Sequence, residues 1–247
     1  VIVPSKIEGC PVTEIGEEAF FGNTTIQNII IPEGVKKIGN EAFRWCYDLQ
    51  EIVIPFGLVH IGDAAFSACK KLKSFTIPMS VTSIGSEAFI YCESLSSITI
   101  PGSIKEISEN VFGYCEGLYN VTISEGVTSI GKHAFNECIK LQNIILPDTV
   151  TNIEDWAFSS CHSLQNVVLP ESIKTIGSYA FHTCTSLQSI TIPKSVSSIG
   201  DATFAYCGNL KKVTILNREL EMGADIFYDC HKDLTLHGVT NSKAEQY

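Results

Sequence analysis

Residues 46–68 read C-Y-D-L-Q-E-I-V-I-P-F-G-L-V-H-I-G-D-A-A-F-S-A, and the same pattern returns every 23 residues along the chain. Phenylalanine marks the period: Phe20, Phe43, Phe66, Phe89, Phe112, Phe135, Phe158, Phe181, Phe204 and Phe227 are evenly spaced. Three residues after each comes a cysteine, from Cys46 to Cys230, except in the first copy, where Asn23 stands in its place. The unit is C-x-x-L-x-x-I-x-I-P-x-x-V-x-x-I-G-x-x-A-F-x-x. A fixed period of this length is the mark of a stacked repeat, in which each copy buries its apolar edge against its neighbours.

The unit predicts its own local structure. L-x-x-I-x-I ends in alternation, so Ile52 and Ile54 face one side and Val53 the other, as in a short strand. Pro55 stops that strand, because proline cannot donate to a ladder. V-x-x-I-G predicts a second short extended segment, its glycine suiting a turn with positive φ. A-F-x-x-C is too short for an ordinary α-helix and predicts a single 3₁₀ or helical turn. The expected fold class is therefore a repeat solenoid of about ten coils, mainly short parallel β-strands with tight turns.

Composition narrows the function classes. The chain has 247 residues, 45% hydrophobic and 18% charged, which is against disorder. No apolar run approaches the roughly 18 residues of a membrane span, so no membrane insertion is expected. A net charge of −10 argues against nucleic acid or an anionic membrane surface as partner.

One domain is expected over 1–247: an atypical capping coil at 1–31, regular repeats over 32–227, and a C-terminal strand and start of a capping helix at 228–247. The first coil carries a longer loop holding Cys10 and Pro11, and Ser242 and Glu245 form the capping-box pattern of the expected helix. The chain opens within a strand-like V-I-V-P segment without the basic and apolar regions of a signal peptide, and reads as a fragment. Interior departures include Ser108 for Gly, Val111 for Ala and Glu154 for Gly, expected to be drift at tolerant turns, with a bend or binding notch as the alternative.

Nothing in the sequence spells catalysis. G-x-S-x-G, H-E-x-x-H, C-x-x-C, G-x-G-x-x-G and the P-loop are all missing, so no enzyme, no cofactor and no metal site is expected. The six histidines fall at different phases of the repeat and read as scattered solvated side chains. The cysteine column lacks the paired spacing of a zinc site, and parallel side chains suit disulfides poorly. Buried free thiols acting as small hydrophobes and weak donors are expected instead, with Asn23 as an alternative donor to backbone.

Candidate binding residues then lie on exposed columns. Trp45, Tyr91, Tyr114 and Tyr206 sit just before the cysteine, while Trp156 and Tyr179 sit two before the phenylalanine. Tyr91 with Tyr114, and Trp156 with Tyr179, fall in adjacent coils and should stack. The outward strand column is β-branched throughout, Thr76, Thr99 and Thr122 sharing it with Ile30, Val53, Ile145 and Val168.

The unit resembles the BspA-like, treponemal-type leucine-rich repeats of bacterial surface proteins: the L-x-x-I-x-I-P strand, the I-G turn and the A-F-x-x-C segment all match, over about residues 1 to 240. The resemblance implies a curved right-handed stack, I-x-I strands on the concave face, and an extracellular or cell-surface location. It implies a non-enzymatic adhesion scaffold, favoured as a monomer, for a protein or glycan ligand. A structural spacer whose ligand-binding domain lies outside this fragment is the alternative.

Overall fold

Alternating isoleucines, a terminal proline and a glycine seven residues later set the path of each coil. The computed structural model describes residues 1–238. In it the I-x-I segments form parallel strands, among them Asn28–Ile30, Glu51–Val53, Ser97–Ile100, Asn120–Ile123, Asn143–Ile145, Asn166–Val168, Ser189–Ile192, Lys212–Ile215 and Thr235–Gly238. Equivalent residues pair one repeat apart, as Asn120 does with Ser97 and Asn143. The I-G segments form a second set of two-residue parallel strands, from Glu14–Ile15 to Glu221–Met222. The expected solenoid is therefore what forms, and no helix occurs among the described residues. The expected C-terminal helix at Ser242–Glu245 lies outside them.

The A-F-x-x-C segment departs from the expected 3₁₀ or helical turn. It keeps the i→i−3 bonds, as from Ala42 to Gly39, Arg44 to Glu41 and Cys46 to Phe43. Between them, however, Glu41 and Trp45 adopt left-handed φ values of 53° and 64°, which no helix tolerates. Those kinks turn alternate N–H groups toward the next coil: Glu41 donates to Asp63, Phe43 to Ala65 and Trp45 to Ser67. The same three bonds recur at every junction from Phe20 to Phe227, giving a continuous ladder along this edge.

Inside the edge runs the phenylalanine column. Neighbouring rings stack at 5.0 Å between Phe20 and Phe43 and 6.0 Å between Phe204 and Phe227, within 15° of parallel throughout. Each buried ring contributes about 1.5–3 kcal/mol of hydrophobic free energy. Beside it all nine repeat cysteines are free thiols. Each S–H donates to the carbonyl of the phenylalanine one coil earlier, from Cys46 on Phe20 at 3.0 Å to Cys230 on Phe204 at 3.1 Å. Burial pushes the Cys115 thiol up to about 12. Asn23 differs from the expectation: its Oδ1 accepts from the Thr25 and Ile26 N–H groups, because Phe20 stands in the first coil and no earlier phenylalanine carbonyl is there to receive a donor.

The I-G glycines also have a different cause from the one expected. Gly62, Gly85, Gly177 and Gly200 do not have positive φ. A Cβ on any of them would lie 2.3–2.6 Å from a backbone N of the preceding coil, so close approach excludes a side chain. In the first coil, the longer loop is a two-stranded antiparallel hairpin, Lys6–Ile7 with Cys10–Pro11, turning through Glu8 and Gly9, both at positive φ.

Neither sheet is continuous. Residues 74–77 form no strand, because Phe75 replaces the usual isoleucine and wedges edge-on between Phe66 at 5.0 Å and Phe89 at 4.7 Å. The I-G sheet stops at Ser83–Ile84 and restarts at Glu106–Ile107. There Ser108 replaces glycine, and its hydroxyl takes the Ile84 carbonyl that a backbone N–H takes in other coils. Glu154, at the same position, keeps its backbone bond to Ile130, so the competing hydroxyl is what sets Ser108 apart.

Candidate interaction surface

Three positions of each turn line the ladder edge: those two before, one after and two after the phenylalanine, buried where the residue is small, as at Ala64, Ser67 and Ala68, and open where it is large. The outer two take left-handed φ in each coil, with Gly22 serving in the first. That conformation costs an L-residue roughly 1–2 kcal/mol and favours glycine or asparagine. Here it holds Trp45, Tyr91, Tyr114, Trp156, Tyr179 and Tyr206, with φ values between 57° and 64°. All six aromatic candidates therefore sit on the strained positions.

The structure groups them in three. Trp45 lies near the N-terminal end, tilted on Phe21 at 4.9 Å, with the Arg44 guanidinium over its ring at 4.9 Å. Tyr91 stacks on Tyr114 at 4.7 Å, as expected. Trp156 stacks on Tyr179 at 4.1 Å and 8°, also as expected. From there the run continues through His182, 5.2 Å from Tyr206, to Tyr228, 5.4 Å beyond.

Two histidines read as scattered belong to this strip. His133 stacks on the outer side of Trp156 at 5.8 Å, and His182 packs against Trp156 and Tyr179. Burial lowers the pKa of both, in His133 against the opposing pull of Glu109 and Asp155. The signal was present in the sequence, since His133 occupies the position two before Phe135 and His182 the position one after Phe181. Of the other histidines, His60 bonds Ser83 on the I-G strands, and His162 donates to the Thr183 carbonyl beside the strip, packing on no ring among the described residues.

Thr99 and Thr122 lie side by side in register on the I-x-I sheet, exposed, while Thr76 falls in the unpaired segment. This face is less polar than the threonines suggest, because Ile145 and Val168 continue their column largely exposed. The sequence reading also passed over Phe56 and Met79, which follow the proline in adjacent coils and are 86% and 78% exposed.

No helix among the described residues is long and apolar enough to cross a membrane. The sequence matches the profile described as a BspA type leucine rich repeat region, in six copies over residues 6–119 and 105–233. The crystal structure of a leucine-rich repeat protein from Bacteroides ovatus superposes with a TM-score of 0.89 at 30% identity, covering 98% of this chain and 70% of that one. A leucine rich cell surface protein from Faecalibacterium prausnitzii gives 0.53 at 24% identity, covering 99% and 88%. A leucine-rich repeat protein from Eubacterium ventriosum gives 0.60 at 24%, covering 81% and 62%. These last two speak for the fold alone. Comparison with curated proteins gives no match.

Proposed function

Because the chain belongs to the BspA-type leucine-rich repeat family, we propose that it is a non-enzymatic interaction scaffold, displayed at the cell surface or secreted, that binds host or microbial protein or glycan through its turn edge. One observation carries this reading: the aromatic strip from Trp156 through Tyr179 and His182 to Tyr206, in which Trp156, Tyr179 and Tyr206 are held on left-handed positions where the fold alone favours glycine. Strained residues persist where something other than local stability retains them. Rigid aromatic side chains are also the residue type that dominates tight interfaces. The surface or secreted location rests on the BspA-type repeat family.

The test is a pulldown from host extracellular matrix and from microbial cell-wall material. The protein should retain a partner, and alanine at Tyr91, Tyr114, Trp156 and Tyr179 together should abolish retention while the fold stays intact by circular dichroism. Undiminished retention by that variant overturns the turn edge as the contact face. No retention by the wild-type chain favours a spacer whose ligand-binding domain lies elsewhere.

A further inference from the structure

The aromatic strip is broken at the Phe66 coil, where Ala64 and Ala68 hold the left-handed positions, and changes character again one coil past Tyr114. At the Phe135 level the two left-handed positions hold His133 and Glu137, and the strip opens there into a cleft. Tyr114 stands on one side and Trp156 with His182 on the other. Tyr91 covers one face of Tyr114 at 4.7 Å, and no ring packs on its other face among the described residues.

The floor of the cleft is Asn136 and Ser159, 8% and 1% exposed. Both are tied into the fold through backbone N–H and C=O groups, and neither side chain has a hydrogen-bond partner among the described residues. Neither is among the fully enclosed unpaired side-chain atoms, which are Arg44 Nε and Ser195 Oγ among the described residues, so both stay open to the cleft, where an occupant can bond them. The charged residues bordering the cleft are carboxylates, Glu109 and Glu137, and neither makes an ion pair among the described residues. Lys132 and Asp155, close enough to bias His133, offset one another in charge. Depressed imidazoles at His133 and His182 add no positive charge at neutral pH.

We propose that this cleft takes the cationic side chain of a basic protein segment, arginine in preference to lysine, against Tyr114 and the Glu109 and Glu137 carboxylates. A guanidinium offers a flat face to the ring and several N–H donors for the carboxylates, the Asn136 carbonyl oxygen and the Ser159 hydroxyl. A neutral glycan would use the ring, amide and hydroxyl but leave both carboxylates without a cation. The assignment rests on the interaction-scaffold reading and names the chemistry of its partner.

The test uses a fluorescently labelled hexa-arginine peptide, its binding followed by anisotropy at low and physiological salt. Glu109→Gln with Glu137→Gln should weaken binding about tenfold or more, while Glu33→Gln with Glu171→Gln, an equal charge change on distant exposed positions, should change it less than about twofold. Hexa-lysine should bind more weakly than hexa-arginine. Equal weakening by both pairs, no binding by the wild type, or competition by neutral maltohexaose would overturn the proposal. Running the Glu109→Gln, Glu137→Gln variant in the pulldown separates the two readings. Full retention of a partner leaves the scaffold standing and removes the cleft as its arginine site.

Discussion

Two neighbouring junctions in the stack are held in different ways. Between the Phe112 and Phe135 coils, Ser97–Ile100 pairs with Asn120–Ile123, Glu106–Ile107 pairs with Ser129–Ile130, and the turn edge bonds through Asn110, Phe112 and Tyr114. Between the Phe89 and Phe112 coils, neither sheet pairs. There the turn edge carries on alone among the ladders, through the N–H groups of Glu87, Phe89 and Tyr91 and the Cys115 thiol on the Phe89 carbonyl. A small apolar cavity lined by Ile84, Ile104 and Val111 lies beside the parted strands. The sheets tolerate interruption because a strand of two to four residues loses little when one neighbour withdraws. The turn edge holds at every junction because its bonds, its rings and its thiols are interlocked in the same few residues.

That contrast can be broken first through the thiols. A thiol held neutral by burial keeps its proton in the folded chain, while the unfolded chain releases it above about 9. Its contribution is intact below that pH and is lost as pH rises toward the folded value of about 12 at Cys115, at roughly 1.4 kcal/mol per pH unit. With the repeat cysteines in parallel, the melting temperature should fall steeply between pH 9 and 11, and Cys115→Ala should flatten the fall. A flat profile would show that the thiols lie open to solvent.

Next in size, Phe135→Ala should cost about 3–5 kcal/mol by denaturant unfolding, since it empties a site in the middle of the ring column. Gly177→Ala should cost less, about 1–3 kcal/mol, because its Cβ would lie 2.5 Å from the Asp155 N. Ser108→Gly reverses that logic at the parted junction. It should return the Ile84 carbonyl to a backbone N–H and change stability by less than about 1 kcal/mol, seen as slowed amide exchange around residues 106–108. Smallest in stability, Phe75→Ile should stay within about 1.5 kcal/mol of wild type while slowing exchange over residues 74–77 as the strand re-forms.

Whatever repeats was legible from the sequence. The period, the phenylalanine column, the cysteine column and the two strand segments follow from spacing, and the stacked pairs Tyr91–Tyr114 and Trp156–Tyr179 followed from phase alone. Backbone conformation was not legible, because tryptophan and tyrosine give no hint of positive φ and the conserved-looking glycines do not adopt it. His133 and His182 form no column with the other histidines, and their place is legible only from the repeat phase they share with the aromatic residues of the turn edge. Glu109, beside Ser108, and Glu137 looked like ordinary surface carboxylates until the turn edge placed them around one cleft.

The ladder bonds and the S–H bonds join residues about one repeat apart, and this has an evolutionary consequence. A recombination event that removes or copies one whole 23-residue unit leaves the core chemistry of every remaining junction as it was, because each coil presents the same groups to its neighbour. The exposed columns have no such protection. Loss of residues 116–138 would bring Tyr114 beside Ser160 and Asn110 beside Trp156, and the cleft between them would close. A stack of this kind can therefore acquire a new binding face by unequal crossing-over in one step, without passing through an unfolded ancestor.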